Sequence, residues 1–463
     1  MKNIVVLLLA LIGFTNTCAQ DITGQWNGVL KEMNLRLIVH ITKTADGFRS
    51  TLVSPDQNSS SIPVDKTTFE NDSLKFEIAQ LQIIYSGHFD KETFNGTFSQ
   101  GPYKIPLSLG REVIEKTAVN RPQEPKEPFP YYSEDVTFEN EMANLTLAGT
   151  LTLPQEKGKF PAVVLISGSG PQDRNEELAD HKPFLVLADH LTKKGIGVLR
   201  FDDRGVGKST GDHSIATSAD FATDALSAVA YLKSRKEIDT TKIGLAGHSE
   251  GGIIAPLAAA KSDDVNFIVL IAGTGIRGDQ LMLLQQNRIG KAMGSSEKQL
   301  QTINDYFATI FEVLLKPNQQ DLKAELTEVI TQKLKGIPED QLPMGLSKDE
   351  ASIAAQVTQL ASPWMIYFTK HDPSKVLENV KCPVLAINGE KDLQVPPKEN
   401  LIPIKNALEK GGNTNVTAIE LPNLNHLFQE CQTGAPAEYG IIEQTFAPIA
   451  LETISNWILN QVE

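Results

Sequence analysis

The sequence predicts an α/β protein in which a mostly parallel sheet carries a helical insertion and is preceded by a small all-β domain. From about residue 135 onward, short apolar runs typical of buried strands alternate with helical periodicities. Residues 20–110 instead contain short alternating runs separated by turn residues. The 463 residues suffice for two or three domains. The predicted divisions are therefore 1–19, 20–110, 111–134 and 135–463.

The composition is that of an ordinary globular protein with an excess of acidic residues. Hydrophobic residues make up 41% of the chain, which disfavours wholesale disorder. The net charge is -14, from 57 acidic and 43 basic residues. Because phosphate neutralisation by Lys and Arg drives nonspecific nucleic-acid binding, this charge argues against nucleic-acid partners and against an anionic membrane surface.

The N-terminus resembles a secretory signal peptide. Lys2 precedes an apolar stretch at residues 4–14, and small residues follow up to Ala19. A cut after Ala19 predicts a periplasmic or secreted protein. No membrane span is expected from this segment, because the apolar stretch is too short to cross a bilayer. The alternative is a lipoprotein cut before Cys18, which Thr15 disfavours because a large aliphatic residue usually stands there.

Two cysteines remain once the predicted signal peptide is removed, Cys382 and Cys431. A disulfide between them is open in an oxidising compartment. We favour Cys382 as a small apolar residue that opens a buried strand. Neither spacing resembles a zinc site, so the sequence predicts no metal.

The N-terminal domain predicts a small sandwich or barrel. Alternating runs occur at Leu35–Ile41, Leu74–Ile78 and Thr93–Phe98. We favour a stabilising accessory role, and glycan or partner binding on Trp26 and Tyr85 is the alternative. Residues 111–134 are rich in proline, which predicts a linker or an arm laid over a surface.

The C-terminal region predicts a sheet covered on both faces, interrupted by an insertion at about residues 276–375. Buried strands are predicted around Val163–Ile166, Ile243–Ala246, Pro383–Ile387 and Val416–Leu421. The insertion shows helical spacing, for example at Leu300, Ile303, Phe307 and Ile310. At the carboxyl edge of the sheet it would cover the ligand crevice as a lid. A packing or dimerisation element is an equal alternative.

A candidate nucleophile lies at Ser249. The residues Gly247-His248-Ser249-Glu250-Gly251 follow a predicted strand and open a predicted helix, which is the context that a G-x-S-x-G turn requires. Glycines allow the tight turn, and the helix N-terminus directs its amides toward Ser249.

A serine hydroxyl needs a base, and the base needs an orienting acid. In this fold the order is serine, acid, histidine. Asp392 follows a late strand, with Glu390 as its near competitor, and His426 follows the last strand. His426 is also the only histidine after residue 371, so it is the expected base.

An oxyanion hole requires backbone donors near the nucleophile. We expect one from the N–H of Glu250, directly after Ser249. The other is expected from the glycine-rich loop at residues 167–171, with Ser169 as the first choice and Gly170 as the alternative.

These motifs resemble the α/β-hydrolase fold superfamily, in particular secreted bacterial esterases with an N-terminal β domain that are similar to prolyl-oligopeptidase-like and serine-aminopeptidase-like hydrolases. The resemblance covers about residues 135–463 and rests on the segments 167–171, 203–209, 247–252, 388–392 and 425–426. It implies the triad Ser249, Asp392 and His426. Ser167 stands where many lipases have histidine, and an acidic residue, Glu250, follows the nucleophile.

The sequence thus predicts a serine hydrolase that cleaves small-molecule carboxylic esters through an acyl-enzyme, with no metal or organic cofactor. A serine peptidase acting on small peptides is the alternative, because the two share their chemistry. A non-catalytic glycan- or protein-binding module is a third, less favoured reading. The oligomeric state is left open.

Overall fold

The structure is a computed structural model that describes residues 21–31, 35–56, 58–78, 81, 83–100, 103–115, 120–317, 320–338, 342 and 346–463. The predicted signal peptide, with Cys18, lies outside the described residues. The chain forms two sheets, one antiparallel and one mostly parallel. The fold class predicted from the sequence is confirmed.

The N-terminal sheet is a nearly closed antiparallel barrel. Its strands are β1 (Gly24–Leu30), β2 (Leu35–Thr44), β3 (Gly47–Ser54), β4 (Asn58–Pro63), β5 (Lys66–Glu70), β6 (Ser73–Ile78), β7 (Ile83–Asp90), β8 (Thr93–Gln100) and β9 (Tyr103–Leu109). They are ordered β1-β2-β3-β5-β6-β7-β8-β9, and β4 pairs with β3. Asn27 and Gly110 exchange backbone hydrogen bonds of 2.7 and 2.8 Å, which join β1 to the end of β9. Closure of this kind removes exposed strand edges.

Aromatic side chains fill the barrel. Trp26 and Tyr85 are 2% and 0% exposed. The indole of Trp26 donates to the carbonyl of Ile22 at 2.8 Å, and the hydroxyl of Tyr85 donates to the carbonyls of Phe94 and Leu107 at 3.1 and 3.2 Å. The suggestion that Trp26 and Tyr85 form binding platforms is therefore wrong, because both rings belong to the core.

The segment that follows the barrel packs against loops beside the second sheet. The buried guanidinium of Arg121 donates to the backbone carbonyls of Ala179, Asp180, Gly440 and Ile442, at 2.5–3.1 Å. The side chain of Gln123 adds bonds to the backbone of residues 445 and 446. These bonds fasten the segment to two loops of the C-terminal unit.

The second sheet has eight strands. They are β10 (Tyr132–Asn140), β11 (Leu145–Leu153), β12 (Phe160–Ile166), β13 (Gly197–Phe201), β14 (Ile238–His248), β15 (Phe267–Ile271), β16 (Val384–Gly389) and β17 (Val416–Leu421). Their order is β10-β11-β13-β12-β14-β15-β16-β17. β10, β11 and β13 pair antiparallel, and every pair from β13 to β17 is parallel. The carboxyl ends of β12, β14, β16 and β17 therefore share one edge.

Helices cover both faces of this sheet. The helices are α1 (Pro183–Lys193), α2 (Ser218–Ser234), α3 (Gly251–Ala259), α4 (Gly278–Ala292), α5 (Glu297–Leu315), α6 (Leu322–Lys335), α7 (Glu350–Leu360), α8 (Pro363–Lys370), α9 (Pro373–Leu377), α10 (Pro397–Lys410) and α11 (Pro448–Val462). Apolar residues of α2, α3 and α10 pack on one face of the sheet, and those of α1 and α11 pack on the other. Burial on both faces explains why the parallel strands read as continuous apolar runs.

Helices α4 to α9 separate β15 from β16 and form the insertion. Helices α5 to α8 contribute to an apolar cluster that includes Tyr306, Leu326, Ile353 and Met365. The insertion thus has a core of its own. No helix in the described part of the chain is long and apolar enough to cross a membrane.

Cys382 and Cys431 are both free thiols in the structure. Burial raises the pKa of Cys382 to about 12, which keeps it a protonated, apolar side chain. The structure agrees with the apolar reading of Cys382 and contains no bond between the two cysteines.

Candidate active site

Ser249 occupies a strained turn between β14 and α3. Its φ is 52°, in the left-handed region that side chains other than glycine rarely adopt. Such a conformation costs about 1–3 kcal/mol and persists where the surrounding structure enforces it. The Ser249 N–H donates to the carbonyl of Ile271 at 2.8 Å, which anchors the turn to β15.

Two glycines make this turn sterically accessible. A Cβ atom at Gly247 would lie 2.0 Å from the carbonyl oxygen of Gly251, and one at Gly251 would lie 2.3 Å from that of Ile166. Neither position tolerates a side chain without backbone movement. The G-x-S-x-G spacing is therefore required by close packing of β12, β14 and α3.

His426 and Asp392 form a buried pair. Nδ1 of His426 lies 2.8 Å from Oδ2 of Asp392, and the two residues are 3% and 2% exposed. Oδ1 of Asp392 accepts the backbone N–H groups of Gln394 and Val395, each at 2.8 Å. Because the carboxylate accepts from Nδ1, the other ring nitrogen of His426 is left to act as a base.

Glu390, the competing acid, points elsewhere. Its Oε2 accepts the backbone N–H of Asn423 at 2.9 Å. The structure therefore brings Asp392, and not Glu390, to His426.

Ser249 and His426 line the same cavity, which has a volume of about 230 Å³. Its apolar wall comes partly from the insertion, through α4 and α8. This wall includes Ile253, Leu281, Met282, Trp364, Phe368 and Val395. The insertion thus forms part of the site, as a lid would.

The two expected oxyanion donors also reach this cavity, because Ser169 and Glu250 are among its lining residues. Within the described part of the chain, the backbone N–H groups of both residues donate to no other protein group. Gly170 has a φ of 93° and is not among the residues that line the cavity. The geometry favours Ser169 over Gly170.

The side chain of Glu250 connects the nucleophile turn to the insertion. Its carboxylate accepts from the hydroxyl of Ser218 at 2.6 Å and from the indole of Trp364 at 2.8 and 2.9 Å. Burial raises the pKa of Glu250, and hydrogen bonds from Ser218, Trp364 and Ser169 oppose this shift. An acidic group therefore stands in the cavity wall, held by uncharged donors.

Asp203 shapes the loop that carries Ser169. It accepts from the hydroxyl of Ser167 at 2.8 Å and from the backbone N–H of Gln172 at 2.9 Å. Burial raises the pKa of Asp203 to about 8, and the nearby carboxyl groups of Glu250 and Glu176 add to the shift. Asp203 lies in a segment that resembles the superfamily, but it was not among the predicted site residues.

A second buried histidine lies beside the candidate base. Nδ1 of His248 is 2.9 Å from Oε1 of Glu176, and its Nε2 is 3.0 Å from the carbonyl oxygen of His426. The same Oε1 accepts the backbone N–H of Gly168 at 2.6 Å. Sequence reasoning missed Glu176, since no motif connects it to the turn 72 residues away.

No group of three or more metal-ligating side chains lies together in the ranges that the structure describes. The described site thus consists of a serine, a histidine–aspartate pair and backbone donors around one cavity.

The fold and these residues define an α/β-hydrolase. The profile of the family described as serine aminopeptidase, S33, matches residues 181–431, which is more than half of the chain. The protein belongs to this family of hydrolases.

Esterase EstD from Thermotoga maritima is 28% identical over 375 residues, which cover 78% of each chain. Among solved structures, an esterase from Pyrococcus furiosus shares 16% identity with a TM-score of 0.42, covering 76% of this chain and 100% of its own. Est1E from Butyrivibrio proteoclasticus, solved with ferulic acid, shares 18% identity with a TM-score of 0.40, covering 71% of this chain and 99% of its own.

Proposed function

We propose that this protein is a serine hydrolase that cleaves carboxylic esters through Ser249, His426 and Asp392. The observation that carries the proposal is that Ser249, on a strained turn, and His426, held by the buried Asp392, line one cavity. Similarity to an esterase over 78% of the chain supports ester substrates. Nothing in this mechanism requires a metal or an organic cofactor.

In the proposed reaction, Oγ of Ser249 attacks the ester carbonyl while Nε2 of His426 takes its proton. The backbone N–H groups of Glu250 and Ser169 stabilise the negative oxygen that forms. His426 then protonates the departing alcohol, which leaves an acyl group on Ser249. Water, deprotonated by His426, releases the acid, and Asp392 holds the imidazole in the required tautomer throughout.

The cavity supports a small acyl group. Its volume of about 230 Å³ lies below the roughly 300–1,000 Å³ of sites for drug-sized ligands. Its apolar wall suits a short aliphatic or aromatic acid. The natural ester is a small molecule on this proposal.

Cleavage of small peptides is the second candidate, and the description of the matched family as a serine aminopeptidase favours it. Both candidates share the acyl-enzyme step, so the substrate must separate them. A panel of aryl esters of graded acyl length, compared with aminoacyl anilides by kcat/KM, makes this comparison. Higher kcat/KM for the anilides would replace the first candidate with the second.

The nucleophile is tested with a fluorophosphonate probe and intact-mass measurement. We expect one adduct on the wild-type protein and none on Ser249→Ala. The control is Ser73→Ala, which removes an exposed hydroxyl in the barrel and leaves labelling unchanged. A wild-type protein that is folded but unlabelled would favour a non-catalytic binding module.

We also propose export, on the signal-like N-terminus of the sequence. The mass of the mature protein tests this: a chain that begins at Gln20 supports simple export, whereas a lipid-modified Cys18 supports the lipoprotein alternative.

A further inference from the structure

Behind the candidate nucleophile lies a second histidine–carboxylate pair, His248 and Glu176. Both residues are nearly inaccessible, at 7% and 4% exposure. His248 directly precedes Ser249, and Glu176 comes from the loop between β12 and α1. The proposed triad chemistry uses neither side chain.

The hydrogen bonds of His248 determine its protonation. A carbonyl oxygen only accepts, so the 3.0 Å contact with the carbonyl of His426 requires a proton on Nε2. Oε1 of Glu176 accepts from Gly168 and faces Nδ1 at 2.9 Å, and an ionised carboxylate in that place accepts from Nδ1 as well. Both ring nitrogens thus carry protons, and the pair is an imidazolium with a carboxylate.

Electrostatics agree with this assignment. Burial lowers the pKa of His248, but the charge of Glu176 and their hydrogen bond outweigh it and raise the pKa overall. The other charged groups that face the pair are Asp392, after β16, and Asp203, after β13. The candidate base, His426, also faces it, with its ring centroid 4.8 Å from that of His248.

The pair connects two parts of the site that belong to different loops. His248 holds the main chain of His426, and Glu176 holds the N–H of Gly168, next to the expected oxyanion donor Ser169. Building on the proposed function, we infer that His248 and Glu176 are positioning residues that fix the base relative to the oxyanion loop.

Glu176→Gln tests the pair with little change in shape. Without the carboxylate, the buried imidazolium of His248 loses one proton. The ring nitrogen that lost it then faces another hydrogen-bond acceptor, which is either the side chain at position 176 or the carbonyl of His426. We expect kcat/KM for an aryl ester to fall about 10- to 100-fold. The loss should fall mainly on kcat, because the pair orients the base and the loop of the oxyanion donor and not the bound substrate.

A double-mutant cycle with His248→Asn tests whether the two residues act as a unit. If they do, the double variant is no slower than the slower single variant. Additive losses, or a Glu176→Gln loss that falls on KM and not on kcat, would overturn the inference.

Asp224→Asn is the matched control. It disrupts another buried ion pair, in which Asp224 on α2 accepts from Nε of Arg204 at 2.7 Å, away from the cavity. We expect a lower Tm but an unchanged kcat. Probe labelling separates the two proposals. Absence of Ser249 labelling in the wild type contradicts the proposed function, whereas normal labelling of the wild type with an unchanged kcat in Glu176→Gln contradicts only the role of the pair.

Discussion

Replacing Asp392 by Asn should abolish most activity while leaving the fold intact. Oδ1 of Asp392 accepts the N–H groups of Gln394 and Val395, so the amide oxygen of the new side chain must stay in that place. Its NH₂ group then occupies the position of Oδ2, 2.8 Å from Nδ1 of His426. A donor there forces Nδ1 to accept, which moves the ring proton to Nε2.

With a proton on Nε2, His426 has no lone pair for the hydroxyl of Ser249. In serine–histidine–aspartate triads this tautomer lowers kcat by about 10⁴-fold. At about 1.36 kcal/mol for each factor of ten, a loss of 10³–10⁴ corresponds to about 4–5.5 kcal/mol of transition-state stabilisation. The folded state keeps three hydrogen bonds at this side chain but loses their charge assistance, so its stability should fall by no more than about 1.5–3 kcal/mol.

The assay is burst kinetics with an aryl ester, together with thermal unfolding of the same samples. Glu390→Gln is the matched control, because it makes the same chemical change two residues earlier, where the carboxylate accepts from Asn423. We expect its kcat to stay within about threefold of the wild type. An Asp392→Asn variant that keeps more than a tenth of wild-type kcat would refute the assigned role of Asp392.

Two further predictions concern the lid and the oxyanion loop. Trp364→Phe removes the indole donor to Glu250 but keeps a ring against Phe368, so KM should rise about three- to tenfold with little change in kcat. The control Trp457→Phe, on α11, should leave KM unchanged. Asp203 keeps its proton up to about pH 8 when folded but titrates near 3.9 when unfolded, so the folded state binds more protons between these values and stability falls as pH rises. Between pH 5 and 8, the Tm of the wild type should therefore drop by about 2–4 °C more than the Tm of Asp203→Asn. Equal slopes of Tm against pH in the two proteins would contradict the raised pKa of Asp203.

The sequence carried enough information to predict the fold class, because the patterns that indicate strands and helices are both local. Apolar runs such as β12 are buried on both faces, and helical spacing in α5 reflects one buried side. Periodicity does not say which side of a strand faces inward when a sheet closes. Tyr85 alternates with exposed neighbours in β7, and only closure of the barrel puts its ring inside.

Candidate catalytic residues were predictable for a related reason. Ser249, Asp392 and His426 each follow a strand, and parallel strands place such positions at one edge. The supporting residues lack such a signal. Trp364 contacts a residue 114 positions away, and its place on α8 depends on how the insertion packs, which no local pattern specifies.

The supporting carboxyl groups explain how an irregular loop keeps a defined shape. The segment after β12 has no ladder of its own, so its donors must find partners elsewhere. Glu176 accepts from Gly168, and Asp203 accepts from Ser167 and Gln172. Each acceptor binds donors of the loop, and Ser169, which lines the cavity, keeps its N–H without a protein partner in the described part of the chain. The cost of burying these acidic groups is thus linked to the geometry of the donor that the proposed reaction needs, which is why replacing them should lower the rate before it unfolds the protein.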